Sequence, residues 1–187
     1  MNAQPKLRMG ADEFIAWAVN LPKGKRYELV SGEVVPMAAE RVGHHRIKQR
    51  TWLALSDALD EAGILGEVLG DGIAVRIDAR TVYEPDCMVR IGAPLPDEAV
   101  QISDPVVVVE VASPSTRGQD SGTKLQGYFQ LESVRHYLIL DGCTGTVVHH
   151  ARHADGRIET RVLGSGNLSL EPPGLTVPIG RLFTDGR

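Results

Sequence analysis

The sequence contains little cysteine and no long apolar run. Its 187 residues include two cysteines, Cys87 and Cys143, which are too few for a disulfide framework and lack the paired spacing of a zinc site. No apolar stretch approaches the roughly 20 residues that a transmembrane helix needs. The first ten residues, MNAQPKLRMG, lack the apolar segment of a signal peptide. We therefore expect a cytoplasmic protein with reduced thiols and no membrane association.

Internal repeats, low-complexity segments and interdomain linkers are also absent from the sequence. A chain of this length can bury a sizeable core as one unit, so we predict a single domain over residues 1–187. No glycine-rich phosphate-binding loop occurs, and no nucleophile-elbow pattern surrounds Ser113 or Ser115. These absences argue against a phosphate-loop enzyme and against a serine nucleophile.

Positive charge is scarce overall but unevenly distributed. The formal net charge is -4, yet residues 1–52 hold nine Lys and Arg against five Asp and Glu. The densest basic stretch, RVGHHRIKQR, spans residues 41–50. Such a stretch is either a solvated helix face or a surface that contacts phosphates. In the second case, the residues predicted to bind nucleic acid are His44, Arg46, Lys48 and Arg50.

The order of helical and strand patterns predicts an α/β fold with a mixed central β-sheet flanked by helices. GADEFIAWAVN predicts a first helix, and HHRIKQRTWLALSDALDEAG predicts a long one with an apolar stripe that ends at Gly63. RYELVSGEVVPM predicts a hairpin around Ser31-Gly32. Further strands are predicted in GIAVRID, EPDCMVRI, PVVVVEV and RHYLILD, and a second hairpin in TVVHHAR with RIETRVL. The tail EPPGLTVPIGRLF, rich in proline and glycine, is expected to wrap the surface.

Glu110 stands near the end of the valine-rich strand that follows Pro105. A carboxylate is almost never fully buried without a partner, because its removal from water is costly. Asp86 opens the preceding strand, so pairing of the two strands brings both carboxylates to one spot at the sheet edge. Two like charges at such a short distance repel each other unless a cation lies between them. A divalent ion meets that need, with the backbone carbonyl of Val111 as a third oxygen ligand.

The segment after the valine strand adds a lysine. Asp120, Lys124 and Tyr128 are spaced four residues apart and share one face of a predicted helix. That helix follows the strand across the Ser113–Thr116 turn, so Lys124 can lean back toward Glu110 and position a water or take its proton. Purely structural roles stay open: a turn residue at Asp86, a surface ion pair between Asp120 and Lys124, and solvent contact at Glu110.

These motifs resemble the Uma-two family, which is assigned to restriction endonucleases of the PD-(D/E)XK nuclease superfamily. The family pattern has Pro-Asp before a strand, then Glu-Val-x-Ser-Pro-Ser-Thr, then an Asp, a Lys and a Tyr on a helix, and a hydrophobic strand that ends in Asp. The matching residues are Pro85-Asp86, Glu110 to Thr116, Asp120, Lys124, Tyr128 and Tyr137 to Asp141. YELVSGEVVPM and the helix start at His44-x-x-Ile47 also match, so the resemblance covers about residues 10–145.

The resemblance implies a restriction-endonuclease-like core and Mg²⁺-dependent hydrolysis of DNA by a water that the metal activates. Asp86 and Glu110 are then ligands of Mg²⁺, or of Mn²⁺, and Lys124 is the catalytic lysine. The usual superfamily position of that lysine is Ala112 here, and the family moves the lysine to the following helix. Glu28 matches a family acid that either completes the metal site or holds a basic partner. Asp120 and Tyr128 are accessory candidates.

Two other functions are compatible with the sequence. A nuclease fold can serve as a catalytically silent module that binds nucleic acid or a partner, which the weak positive charge favours and the intact catalytic residues disfavour. A metal-dependent hydrolase of small phosphate esters is the second alternative. For an endonuclease we expect a homodimer, because two sites related by a two-fold axis can cut both strands of a duplex.

Overall fold

The computed structural model describes residues 8–22, 24–112 and 120–183, without the side chains of residues 120 and 121. The helices are α1 (Ala11–Ala18), α2 (Val42–Ala62), α3 (Asp120–Tyr128) and α4 (Gly180–Phe183). The strands are β1 (Tyr27–Val30), β2 (Glu33–Pro36), β3 (Gly66–Gly70), β4 (Ala74–Arg76), β5 (Val82–Tyr83), β6 (Cys87–Ile91), β7 (Gln101–Ile102), β8 (Val107–Val111), β9 (His136–Asp141), β10 (Thr146–Arg152), β11 (Ile158–Leu163), β12 (Asn167–Leu170) and β13 (Leu175–Pro178). Within these ranges, no helix combines the length and the apolar character needed to cross a membrane.

A six-stranded mixed sheet forms the centre of the fold, with the order β11-β10-β9-β8-β6-β3. Strands β8 and β9 run parallel, and the other neighbouring pairs run antiparallel. A five-stranded sheet, β2-β1-β5-β4-β7, and the pair β12-β13 complete the described strands. The predicted α/β class with a mixed central sheet and flanking helices is confirmed.

Local sequence explains the first hairpin and the long helix. Ser31 and Gly32 both have positive φ, 50° and 84°, as the central residues of a two-residue hairpin turn require. Helix α2 ends at Gly63, whose φ of 63° is left-handed, a conformation that glycine adopts without a steric cost. The buried residues of α2 recur at helical spacing and are Lys48, Thr51, Ala54, Leu55, Ala58 and Leu59.

Both faces of the central sheet are covered, as the valine-rich strand predicts. The side chains that pack against α2 and the C-terminal strands include Val107, Val109, Val111, Leu138 and Leu140. On the opposite face, Val108 and Tyr137 pack against the five-stranded sheet and against Tyr128 of α3. Because side chains alternate along a strand, Glu110 belongs to this second face, on the side of α3.

Truncation of Val109 tests the sandwiched position of β8. Val109 is fully buried, so we expect Val109→Ala to lower the free energy of unfolding by about 1–3 kcal/mol through lost burial and a residual cavity. Chemical denaturation of both proteins measures the difference. Val162→Ala on β11 is the matched control, because Val162 is 68% exposed and its loss is expected to cost little. Equal stability of the wild type and Val109→Ala would contradict this packing.

The C-terminal tail does not wrap the surface as its composition suggests. Strands β12 and β13 form a hairpin around Pro172-Pro173, and its alternate side chains enter the main core. The fully buried residues of this region are Leu168, Leu170, Leu175, Val177, Ile179 and Leu182. Every second residue in these two runs is apolar, which is typical of strands. The prolines between the runs favoured a prediction of irregular structure instead. Strand β3, with glycine at both ends, is a second element that the sequence patterns miss.

Candidate active site

Asp86 and Glu110 lie side by side at one end of the paired strands β6 and β8. The register pairs Cys87 with Val109, and Asp86 contacts the residues on both sides of Glu110. The Asp86 amide donates a hydrogen bond to the Val109 carbonyl over 3.1 Å, and the Val111 amide donates one to Asp86 Oδ2 over 2.7 Å. The two residues thus stand opposite each other on adjacent strands, but the Asp86 carboxylate contacts side chains of α2 and the Glu110 carboxylate contacts side chains of α3. That the two carboxylates meet at one spot remains a prediction.

Glu110 is held by two side chains of α3. Lys124 Nζ donates to Glu110 Oε1 over 2.9 Å, and the Tyr128 hydroxyl donates to the same oxygen over 2.7 Å. Lys124 and Tyr128 reach one atom because four residues separate them on a helix. Burial raises the pKa of Glu110 to about 7, against the opposing charge of Lys124 and with the added repulsion of Asp86 and Glu28.

Glu28 of β1 is a second acidic partner of Lys124. Its Oε1 lies 2.9 Å from Lys124 Nζ and accepts a hydrogen bond from the Glu84 amide over 2.9 Å. Of the two roles predicted for Glu28, this geometry matches the one that holds a basic partner. Burial disfavours the charged form of Lys124, but the charges of Glu110 and Glu28 outweigh it and raise the lysine pKa above its ordinary value. Lys124 is therefore a stable cation and a poor proton acceptor near neutral pH.

Asp86 contacts the first turns of α2 with its carboxylate. His44 Nε2 lies 3.2 Å from Oδ2, and Lys48 Nζ lies 3.1 Å from Oδ1. Burial disfavours the charged form of Asp86, but the His44 hydrogen bond, the Lys48 charge and the Val111 amide outweigh it and hold the Asp86 pKa below its ordinary value. Asp86 is thus a carboxylate that remains ionised, whereas Glu110 exchanges its proton near neutral pH.

Lys48 corrects the prediction of a basic surface on α2. Its side chain is 4% exposed, and its ammonium bridges three carboxylates rather than facing solvent. Lys48 Nζ contacts Glu40 Oε1 and lies 2.7 Å from Asp71 Oδ2, in addition to Asp86. Arg26 supplies a second cation, 2.6 Å from the same Asp71 oxygen. A buried ammonium with three acidic neighbours has no free charge for a phosphate.

The other residues that were predicted to bind nucleic acid have different environments. His44 is directed at Asp86, and Arg50 donates to the Phe183 carbonyl over 2.6 Å. Arg46 is exposed on α2. The four residues therefore do not form one solvated face, because α2 turns its Lys48 side into the protein. Phosphate contacts by His44, Arg46 and Arg50 stay a prediction.

Two predicted features, the Ser113–Thr116 turn and the side chain of Asp120, lie outside the described residues. For Val111, the contact with a catalytic candidate runs through its amide, which donates to Asp86. Metal ligation by the Val111 carbonyl remains a prediction.

The oxygen donors at the sheet edge fit a hard divalent ion. Asp86 and Glu110 are carboxylates, and Mg²⁺ and Mn²⁺ favour carboxylate oxygens. Burial raises the pKa of Glu110, and the charges of Asp86 and Glu28 add to the shift, so a bound cation would favour the charged form of this carboxylate. A neighbouring cluster offers a different donor set, since Glu40, His44 and Asp86 have ligand atoms within 4.8 Å of one another. Asp86 belongs to both sets.

The sequence patterns did not reveal Glu40 and Asp71 as residues of this site, and they did not reveal that Lys48 is buried. A signal existed for Lys48, which stands three residues before Thr51 and seven before Leu55 and therefore on the buried stripe of α2. A lysine on such a stripe predicts acidic partners. Glu40 lies in an irregular segment and Asp71 in a turn, both outside the regular elements, so no periodicity marks them.

Comparisons with known proteins agree with this architecture. The model of a family named Uma2, described as "Putative restriction endonuclease", matches residues 11–180. An uncharacterized protein of Synechocystis is 22% identical over 134 residues, which cover 70% of this chain and 75% of that protein. A crystal structure from Anabaena variabilis, described as a putative nuclease belonging to DUF820, superposes with a TM-score of 0.75 and 16% identity over 94% of this chain and 97% of that one.

Proposed function

Because the chain belongs to the Uma2 family of restriction-endonuclease-like proteins, we propose that it is a divalent-metal-dependent endonuclease that hydrolyses phosphodiester bonds in DNA. The observation that carries the proposal is the placement of three groups by three elements. Asp86 and Glu110 stand opposite each other at the ends of the adjacent strands β6 and β8, and Lys124 reaches Glu110 from the following helix over 2.9 Å. Carboxylates that can hold a divalent ion and a lysine that can act on the attacking water are suited to metal-assisted phosphodiester hydrolysis.

Asp86 and Glu110 are the proposed ligands of Mg²⁺, or of Mn²⁺. When bound, the ion would supply Lewis-acid stabilisation of the phosphate charge and would favour deprotonation of the attacking water. The strands fix both carboxylates, since β6 and β8 are hydrogen-bonded to each other and buried on both faces. Ligands on rigid strands are positioned more accurately than ligands on loops.

Lys124 is proposed to orient the attacking water and to stabilise negative charge on the phosphate. Its raised pKa keeps the ammonium protonated, so it acts as a hydrogen-bond donor and a fixed charge rather than as a general base. Glu28 and Tyr128 are positioning residues in this proposal. Glu28 holds the ammonium from one side, and the Tyr128 hydroxyl orients the carboxylate of Glu110.

Incubation with supercoiled plasmid DNA tests the proposed activity. We expect nicking or cutting with Mg²⁺ or Mn²⁺ and none with EDTA. Single-stranded DNA, RNA and p-nitrophenyl phosphate, tested in parallel, define the substrate. Binding of DNA without cleavage under any divalent ion would support a silent binding module instead, and turnover of p-nitrophenyl phosphate alone would support a hydrolase of small phosphate esters.

A homodimer is part of the proposal, because cutting both strands of a duplex is simplest with two sites related by a two-fold axis. Light scattering gives the oligomeric state directly. A dimer is expected to produce linear plasmid early in the reaction, whereas a monomer would accumulate nicked circles first.

Metal binding is expected to stabilise the fold by mass action. An ion at one hundred times its dissociation constant adds about 2.7 kcal/mol, which raises the melting temperature of a chain of this size by roughly 5–10 °C. Glu110→Gln keeps the shape of the side chain and removes its charge, so most of the shift is expected to disappear. Differential scanning fluorimetry with and without Mg²⁺ measures both. Glu98→Gln, at an exposed carboxylate, is the matched control and should respond like the wild type. An equal response of Glu110→Gln would remove Glu110 from the metal site.

A further inference from the structure

A cleft of about 440 Å³ opens beside Asp86, between α2 and the end of β3. One wall carries Gln49, Trp52 and Leu53; Trp52 and Leu53 follow Gln49 by three and four residues and therefore lie beside it on α2. The opposite wall is the backbone turn at Gly70 and Asp71, and Asp86 lies at the inner end. The cleft therefore shares Asp86 with the proposed catalytic centre, and its volume lies within the range of small-ligand sites.

Trp52 gives the cleft a fixed aromatic surface. The indole is 41% exposed, although large aromatic side chains in a monomer are usually more deeply buried. Its Nε1 donates a hydrogen bond to the Val68 carbonyl of β3 over 2.8 Å. This bond satisfies the polar edge of the indole and anchors it against β3, so what the side chain offers a ligand is its apolar ring. Leu53, which is 54% exposed, extends the apolar surface.

The charges around the cleft favour an uncharged ligand group. Lys48, in the lining, is already bound to Glu40, Asp71 and Asp86, and His45, the other basic side chain there, lies 3.9 Å from Glu40 Oε2. The carboxylates of Asp71 and Asp86 would repel a phosphate placed between the walls. A nucleobase carries no charge, and its ring stacks on an aromatic side chain whatever its sequence identity.

We propose that this cleft receives an unpaired base of the substrate strand, stacked on Trp52, while the adjoining phosphodiester faces Asp86 and Glu110. The substrate class is then DNA with an unpaired or extruded nucleotide at the cleavage position, in preference to fully paired duplex. A base must leave the helical stack to enter a cleft of this kind, which costs least where it is already unpaired. This inference rests on the proposed nuclease function for its cleavage step but not for its binding step.

Tryptophan fluorescence can test the stacking directly. The chain has two tryptophans, and Trp17→Phe leaves Trp52 as the single reporter, since Trp17 packs on Tyr27 in a different part of the fold. We would titrate this variant with a twelve-residue oligothymidylate and with an abasic strand of equal length. Ca²⁺ would replace Mg²⁺, and a gel would confirm that the strands stay intact. Quenching by the oligothymidylate and little or none by the abasic strand is expected. Equal quenching by both would overturn the proposal.

Substitution of Trp52 separates stacking from a structural role. Trp52→Leu is expected to bind the oligothymidylate roughly five- to a hundredfold more weakly, and Trp52→Phe, which keeps a ring, to recover most of that loss. Leu65→Ala is the control, because Leu65 is 67% exposed and lies outside the cleft. Unchanged affinity in Trp52→Leu, or a loss that phenylalanine does not recover, would contradict the stacking.

Cleavage of matched substrates completes the test. The wild type is expected to cut a duplex with a central unpaired bubble at least tenfold faster than the same sequence fully paired, and Trp52→Leu to lose most of that preference. Equal rates on both substrates would overturn the inference and leave the nuclease function intact. Base-dependent quenching without cleavage under any divalent ion would support the binding cleft and refute the proposed activity.

Discussion

Replacing Lys124 with Met is expected to reduce DNA cleavage by about a hundredfold or more, the usual scale for a positioned acid–base group. The ammonium is the one cation that the described residues place on Glu110. Its loss removes the donor that we assign to water orientation and to charge stabilisation. Metal binding should persist, and we expect it to tighten slightly because a positive charge beside the ligands is gone. Plasmid cleavage rates and the Mg²⁺-induced shift in melting temperature measure the two effects separately.

The Lys124 variant also leaves Glu28 and Glu110 without their shared cation, so a stability loss of about 1–3 kcal/mol is expected. Assays must therefore run well below the melting temperature of the variant. Lys25→Met is the matched control, since Lys25 is exposed and its loss changes the net charge equally. Lys124→Met with wild-type cleavage rates would exclude this lysine from the mechanism. A parallel loss of metal binding and cleavage would make its role structural.

Replacing Lys48 with Met is expected to lower the free energy of unfolding by about 3 kcal/mol, near the lower end of the range for breaking a buried ion pair. The variant retains the apolar stem but leaves Glu40, Asp71 and Asp86 without the ammonium that joins them. Arg26 still contacts Glu40 and Asp71, which limits the loss. Urea denaturation measures it.

The pH dependence of this loss follows from the acids involved. The pKa values of Asp71 and Asp86 are lowered in the folded protein. Their pairing therefore stabilises the fold above the unfolded pKa of about 4 and is lost as the pH falls through the lower folded values. The difference between wild type and Lys48→Met should narrow on acidification. Arg46→Met, at an exposed position of the same helix, should change stability by no more than about 0.5 kcal/mol. A Lys48 variant as stable as Arg46→Met would contradict the buried network.

The positions of Asp86 and Glu110 at the ends of adjacent strands, and the approach of Lys124 to Glu110, could be predicted from sequence because each depends on regular structure. A carboxylate in a valine strand requires a partner, and strand pairing places the neighbouring acid opposite it. Side chains four residues apart lie on one face of a helix, which directs Lys124 and Tyr128 to the same side. The central sheet follows from the same patterns. These features need only the spacing of residues within one element or between adjacent strands.

The network around Lys48 could not be predicted in the same way. Two of its acids come from irregular segments, at residues 40 and 71, and their positions depend on how α2 packs against β3. The basic composition of residues 41–50 suggested a solvated surface, but composition does not indicate which way a side chain faces. The apolar stripe of α2 carries that information, and Lys48 lies on it.

The cleft beside Trp52 could not be predicted from sequence either, because its walls come from two separate elements, α2 and the end of β3. Trp52 follows the buried Thr51 on α2, and its indole is hydrogen-bonded to the Val68 carbonyl of β3. Strand β3 itself was not predicted, because glycine at both of its ends weakens the strand pattern. Because β3 was not predicted, no sequence pattern indicated the second wall of the cleft.

The central claim is that Asp86 and Glu110 share one divalent ion, and a crystal soaked in Mn²⁺ tests it most directly. Anomalous scattering locates the ion without reference to activity. We expect a single strong peak with an oxygen of Asp86 and an oxygen of Glu110 at coordination distance, roughly 2.0–2.6 Å. The neighbouring cluster of Glu40, His44 and Asp86 provides the competing position. A peak held by that cluster alone, with Glu110 still bonded to Lys124, would contradict the account.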